Sequence, residues 1–249
     1  FICGASMGGI IAACVAMGWP DEEIERRIRK AFVDSNPLGD HILPVVALTR
    51  GRRVEERLIR HFGDARIEDL LTPFFCVSSE LTEGIARVHR RGLLREALRA
   101  SISLPGILPP VVDDESILVD GAVINNFPTD LMSTVHRGLT IGIDVAREGT
   151  LDPADFTDPP GFITWVRKHG LREAPPIVSL LMRAATARHE FTRQVHPADI
   201  MIAPEVPGVA LRDWKKYDTA VASGYETTKA VIKSHWATLG PIAKAARRG

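Results

Sequence analysis

The sequence is short of several features that would mark a protein class. It has three cysteines, Cys3, Cys14 and Cys76, an odd number with no C-x-x-C pair. This spacing offers neither a disulfide framework nor a zinc site, and it fits a reducing compartment. There is no excess of charge of either sign, because Lys plus Arg and Asp plus Glu each number 31. A chain without net charge has no broad electrostatic attraction for nucleic acid, so no nucleic-acid partner is expected. There is no long hydrophobic run either. The longest, Met7 to Trp19, falls short of the ~20 apolar residues that a membrane span needs, and it reads as a buried helix. Neither an initiator Met nor a signal peptide leads the chain. The cysteines and the lack of a membrane span point to a cytoplasmic type of domain. The abrupt start is that of a chain beginning inside a domain, with room upstream for a targeting segment. The 249 residues are enough to bury a substantial core.

What is present is an alternation of helical and strand patterns. Phe1-Ile2-Cys3 reads as the end of a strand and Met7 to Met17 as a small-residue helix. Ile24, Ile28, Ala31 and Phe32 recur at helical spacing behind Pro20. The other face of that helix carries Arg26, Arg27, Arg29 and Lys30, diluted by Asp21, Glu22, Glu23 and Glu25 into a solvated face. Val54, Leu58 and Phe62 mark a further helix that stops at Gly63. Strands are expected at Phe74 to Val77 and Ser116 to Val119, and helices over Leu93 to Ser103 and from Pro128. Leu139 to Val145 has the unbroken apolar look of a strand covered on both faces. A loop over 149–161, helices over 162–168 and 177–189, a strand over 199–203 and a helix over 218–235 complete the pattern. No repeat or linker divides the chain, so a single α/β domain over residues 1–249, with a mainly parallel sheet between helices, is expected.

Gly4-Ala5-Ser6-Met7-Gly8 fits G-x-S-x-G between a strand end and a helix, the setting of a nucleophile elbow. Flanking glycines allow the sharp turn, and the helix N-terminus favours negative charge nearby. A serine hydroxyl needs a base. One arrangement is a triad in which Asp144 and then His169, His189 or His196 follow Ser6 in the chain. None of these histidines lies in a distinctive loop motif. The other is direct acceptance by Asp120, which ends the strand pattern Ile117-Leu118-Val119 and precedes Gly121-Ala122. An Asp-Gly pair is by itself a turn signal, and spacing in the chain does not choose between the two.

Gly4-Ala5-Ser6-Met7-Gly8-Gly9, together with Asp120-Gly121-Ala122, resembles the two hallmark motifs of the patatin-like phospholipases, and more narrowly their neuropathy target esterase group. The resemblance extends through Arg99-Ala100-Ser101-Ile102-Ser103-Leu104-Pro105-Gly106-Ile107-Leu108-Pro109-Pro110 and through Val123-Ile124-Asn125-Asn126-Phe127-Pro128. It reappears at Ala198-Asp199-Ile200 and at Asp213-Trp214-Lys215-Lys216-Tyr217-Asp218. It implies a three-layer α/β/α patatin-like fold and a Ser-Asp dyad of Ser6 and Asp120. It further implies hydrolysis of fatty acyl esters of phospholipids or lysophospholipids through an acyl-enzyme, with no metal or organic cofactor. A lipid substrate adds peripheral contact with a membrane. The group's oxyanion loop lies upstream of its serine, so the chain is expected to begin after the first strand and that loop. The group also often carries upstream regulatory domains resembling cyclic-nucleotide-binding modules. A non-catalytic lipid-binding module that keeps the fold is the alternative from another functional class.

Overall fold

The computed structural model describes residues 1–35, 38–40, 42, 45–145, 193–206 and 214–246, with scattered positions between 156 and 184. Apart from such positions, the loop expected over 149–161 and the helices expected over 162–168 and 177–189 lie outside the described residues. The chain divides into two compact units, residues 1–136 with 148–196 and residues 137–147 with 197–249.

In the first unit β1 (Ile2–Ala5) passes directly into α1 (Ser6–Ala16). Gly9, Ala12, Ala13 and Ala16 are buried along α1, and a Cβ added at Gly9 would stand 3.4 Å from the Cβ of Cys76. Small side chains thus let the helix lie close on the sheet. α2 (Asp21–Ile28) keeps the solvated face expected of it, since Arg26 and Arg27 both pair with Glu23 and Arg29 pairs with Glu25. α3 (Arg52–Phe62) buries Val54, Leu58 and Phe62, four residues apart on one stripe. α4 (Leu94–Ser101) buries Leu94, Ala97 and Leu98 and ends on the buried Ser101.

β2 (Phe74–Glu80) is the spine of the sheet, with all seven residues buried. The twofold alternation of a strand sorts them between two cores. Phe74 and Cys76 join Ile10, Ala13, Leu58, Leu94 and Leu98 from α1, α3 and α4. Phe75 and Val77 pack instead against Leu131, Met132 and Val135 of α5 (Thr129–Val135). Helices therefore cover both faces, which gives three α/β/α layers. Each fully buried leucine contributes about 1.5–3 kcal/mol to holding them together.

β1 pairs with β2 in parallel, whereas β3 (Ile85–His89) and β5 (Ser116–Asp120) pair with it antiparallel. β4 (Val111–Asp113) runs antiparallel to β5. The sheet is mixed rather than mainly parallel as expected. Two short hairpins, β2–β3 and β4–β5, account for part of this, because a connection of a few residues can join only antiparallel neighbours, and β5 returns antiparallel to β2 after α4. The β2–β3 turn carries Gly84 at φ +72°, and the β4–β5 turn carries Asp114 at φ +52°.

The register decides where strand ends meet. A strand residue has one neighbour on each side, and Cys76 and Val77 pair with both β1 and β3, while Ser78, Ser79 and Glu80 pair with both β3 and β5. β1 and β5 therefore occupy the same edge of β2, end to end, and run toward each other. β1 stops at Ala5 opposite Val77, and β5 stops at Asp120 opposite Ser78.

In the second unit β6 (Ile141–Ile143) pairs in parallel with β7 (Ile200–Ile202), and the Asp199 carboxylate accepts the Thr140 N–H at 2.7 Å. Two helices follow, α6 (Tyr217–Ser234) and α7 (Trp236–Ala246). β6 departs from its expected burial: Gly142 is buried, but Ile141 and Ile143 remain 48% and 63% exposed. An apolar run reports the preference for extended backbone, not how many faces are covered. No helix among the described residues is long and apolar enough to cross a membrane.

Candidate active site

Ser6 stands at the junction of β1 and α1 with φ +52°, a left-handed torsion in a residue other than glycine. Such a torsion costs on the order of 1–3 kcal/mol and persists only where the surroundings fix it. Gly4 is one of those surroundings. A Cβ on it would fall 2.5 Å from the Gly8 carbonyl oxygen and 2.6 Å from the Gly9 nitrogen, so only glycine fits beneath the turn. Gly8 differs, since a Cβ there would meet nothing within 4 Å. The two glycines that flank the serine in sequence are therefore not equivalent in space.

The half-buried Ser6 hydroxyl donates a hydrogen bond of 2.6 Å to Oδ2 of Asp120. Asp120 is fully buried, its other oxygen accepts the Ala122 N–H at 2.8 Å, and its own N–H donates to the Ser103 carbonyl at 2.9 Å. Burial drives the carboxyl from 3.8 up to about 7, against the lowering effect of the hydrogen bonds from Ser6 and Ala122. A group with that pKa can both accept and return a proton near neutrality. Gly121 makes the approach feasible: its missing Cβ would lie 2.9 Å from the Ala5 Cβ and closer still to the Val77 carbonyl oxygen. The sequence-predicted pair, 114 positions apart, is thus brought together.

Residues 99–103 brace both partners. Ser101 Oγ accepts the Ser6 N–H at 3.0 Å and donates to the Val77 carbonyl at 2.7 Å. The buried Arg99 donates to Ser103 Oγ and to the Pro109 carbonyl, which fixes the stretch whose Ser103 carbonyl receives the Asp120 N–H. Behind the aspartate, Ser79 Oγ donates to the Gly121 carbonyl at 3.3 Å and accepts the Ile124 N–H at 3.0 Å. The sequence flagged Ser101 and Ser103 only as part of a family motif, and it gave no signal for Ser79. Its sole trace is an unbroken buried strand in which two serines, Ser78 and Ser79, replace apolar residues.

Of the four triad candidates, the structure describes Asp144 and His196. Asp144 is buried in the second unit, where its N–H donates to the Ile202 carbonyl at 2.9 Å. His169 and His189 lie outside the described residues, and His196 is exposed. His89 is on β3, across β2 from Asp120, with Nε2 2.8 Å from Ser78 Oγ. Burial, then the Arg87 charge, push its imidazole down to about 4, which keeps it neutral at physiological pH. All three cysteines are free thiols. Burial pushes Cys3 up to about 12 and Cys14 up to about 11, and it also raises Cys76, so none supplies a thiolate nucleophile at neutral pH. Among the described residues no cluster of His, Cys, Asp and Glu could hold a metal ion.

The family model for patatin-like phospholipases matches residues 1–133, which include β1, the elbow and the Asp120-Gly121-Ala122 turn. The chain belongs to the patatin-like phospholipase family. Within that family it is 33% identical over 240 residues to an NTE family protein of Mycobacterium tuberculosis, covering 93% of this chain and 41% of that protein. It is 28% identical over 240 residues to the lysophospholipase NTE1 of Kluyveromyces lactis, covering 90% of this chain and 16% of the relative. A similar likeness, 28% over 245 residues, links it to the human patatin-like phospholipase domain-containing protein 6, covering 92% of this chain and 18% of that one. The chain thus spans less than half the length of these patatin-like relatives.

Proposed function

We propose that the chain is the catalytic domain of a serine hydrolase that cleaves fatty acyl esters of phospholipids or lysophospholipids, with Ser6 as nucleophile and Asp120 as its base. The observation that carries this reading is the 2.6 Å hydrogen bond from the Ser6 hydroxyl to the buried Asp120 carboxylate. Family membership and the lysophospholipase name of a relative support the lipid ester as substrate.

In the proposed reaction ionised Asp120 takes the hydroxyl proton as Ser6 Oγ bonds to the acyl carbonyl carbon. The tetrahedral intermediate collapses, the proton passes from Asp120 to the leaving alcohol oxygen, and the acyl group stays on Ser6. Water then attacks the ester carbon and gives its proton to Asp120, the C–Oγ bond breaks, and the proton returns to Oγ as the fatty acid leaves. The oxyanion of each intermediate needs fixed donors. The Met7 N–H lies in the first turn of α1, where N–H groups have no intrahelical acceptor and the helix dipole favours negative charge. A substrate held in lipid surfaces calls for peripheral contact with a membrane. Regulatory domains outside the chain belong to the same reading, supported by the greater length of the relatives.

A fluorophosphonate tests the assignment. It should form one adduct, found by peptide mass spectrometry on Ser6, and hydrolysis of a lysophospholipid should fall in step with labelling. Hydrolysis that persists in fully labelled protein, or an adduct on another residue, would reject Ser6 as nucleophile.

Because an aspartate base needs no imidazole relay, separate changes of His169, His189 and His196 to Gln should each leave kcat within about threefold of wild type, well short of the 10²–10⁴ contribution of a general base. A loss of a hundredfold or more at one of them, in protein with an unchanged melting temperature, would point to a triad.

A further inference from the structure

The geometry points to Ser101 as a positioning residue that locks Ser6 in its left-handed torsion and so sets the Ser6–Asp120 hydrogen bond. This rests on the reading of Ser6 and Asp120 as a catalytic pair.

The inference starts from what holds a non-glycine residue at φ +52°. The residue ahead of α1, Ala5, offers no side-chain cap, so the first N–H of the helix needs a partner from elsewhere. It finds one in Ser101 Oγ at 3.0 Å, contributed by the last residue of α4, 95 positions away. Ser101 has no solvent exposure, so no bulk water stands ready to replace its hydroxyl. The same hydroxyl spends its proton on the Val77 carbonyl at 2.7 Å, which fixes its rotamer and turns its lone pairs toward Ser6.

Val77 is the significant acceptor. It is the β2 residue opposite Ala5 and the neighbour of Ser78, which is opposite Asp120. Its carbonyl oxygen is also the atom against which Gly121 packs so closely that no Cβ fits. One peptide of β2 is therefore in contact with the serine side through Ser101 and with the aspartate side through Gly121. A hydroxyl that donates to this peptide and accepts from Ser6 ties the nucleophile's backbone to the strand that also positions its base. Only a group that is donor and acceptor at once can do both. The hydroxyl does not touch the reacting atoms and acts through Ser6.

Removing it frees the Ser6 N–H and lets the torsion relax toward ordinary values, which swings Oγ away from Asp120. Displacement of a reacting group by about 1 Å costs up to roughly a hundredfold in rate. Since the Ser6 hydrogen bond lowers the pKa of Asp120, loosening it should also raise the pH at which activity appears. A residue that served stability alone would move neither the acid limb of the pH profile nor kcat in folded protein.

The test compares Ser101→Ala and Ser101→Cys with wild type in the intact protein, using a soluble short-chain aryl ester, fluorophosphonate labelling and thermal melts, with Ser6→Ala alongside. Ser101→Cys keeps the volume but replaces the hydroxyl with a weak donor and acceptor. The expected result is a kcat ten- to a hundredfold lower in Ser101→Ala and a smaller loss in Ser101→Cys, with KM within about twofold. Labelling should slow in proportion, and the acid limb of kcat/KM should move to higher pH in both variants. Wild-type kcat and an unmoved limb in either folded variant overturn the proposal. Loss of cooperative melting in both also overturns it, because Ser101 would then serve the fold and not the site. Activity that survives Ser6→Ala would instead overturn the catalytic pair itself, whatever Ser101 does.

Discussion

Replacing Asp120 with asparagine is expected to cut kcat by roughly a thousandfold or more while making the folded protein more stable at pH 8. The loss follows from removing the base: an amide cannot take the Ser6 proton, and general-base contributions run to about 10²–10⁴. Combined with Ser6→Ala the loss should hardly deepen, because both side chains act in one step. The gain in stability follows from linkage. Asp120 titrates at 3.8 when exposed and at about 7 when buried in the fold. Below 3.8 the carboxyl is neutral in both states and ionisation costs the fold nothing. As pH rises toward about 7 the unfolded chain releases a proton that the folded chain retains, so the folded state loses ground. Above about 7 the penalty is complete, on the order of 4 kcal/mol. Asparagine avoids it and keeps the local bonds, since its oxygen can accept from the Ala122 N–H and its amide can donate to Ser6 Oγ. The melting temperature of Asp120→Asn should exceed that of wild type by several degrees at pH 8, and the difference should shrink steadily down to pH 4. Wild-type kcat/KM should in turn rise with pH through about 7 as one ionisation. An asparagine variant less stable than wild type at pH 8, or one with near-normal turnover, would contradict the assignment of a buried, ionising base.

The sequence made the main helices and the spine strand legible because each carries a periodic signal. Val54, Leu58 and Phe62 repeat at the helical interval, and Phe74 to Val77 form a continuous apolar run. β3 and β4 escaped notice for the opposite reason. Ile85-Ala86-Arg87-Val88-His89 mixes charge with apolar residues along a strand with no fully buried residue, and Val111-Val112-Asp113 follows two prolines and is only three residues long. Without those hairpins the sheet looked parallel. α7 was hidden by Pro241, which reads as a helix breaker yet lies within the helix. The site was half legible. Local patterns placed Ser6 in a turn and Asp120 at a strand end, but their contact depends on β1 and β5 sharing an edge of β2, a fact of register that no local pattern records. The braces from Ser79, Ser101 and Ser103 were hidden for a related reason. A buried serine announces itself only through its partners, and those of Ser79 and Ser101 lie between 24 and 95 positions away.

The glycines of the elbow yield a sharper expectation than their shared motif suggests. Gly4→Ala should destabilise the protein by at least about 3 kcal/mol, in the class of severe packing defects, and should abolish activity with it. Neither Gly4 nor Gly8 is among the glycines with positive φ, so torsional freedom does not explain them. At Gly4 the obstacle is space: the new methyl would press on the Gly8 and Gly9 backbone, which are parts of α1 and cannot move without dragging the helix off the sheet. Any shift of α1 also displaces Ser6, its first residue, from Ser101 and Asp120. At Gly8 the balance reverses. A methyl meets nothing within 4 Å, and alanine in a helix is favoured over glycine by about 0.5–1 kcal/mol. Gly8→Ala should therefore melt at or above the wild-type temperature, even if a methyl two residues from the nucleophile alters KM for a bulky lipid. Thermal melts of the two variants side by side decide the matter. Equal destabilisation would mean that the second glycine is needed for the turn itself, whereas a tolerated Gly4→Ala would mean that α1 is not held as closely to β1 as the elbow requires.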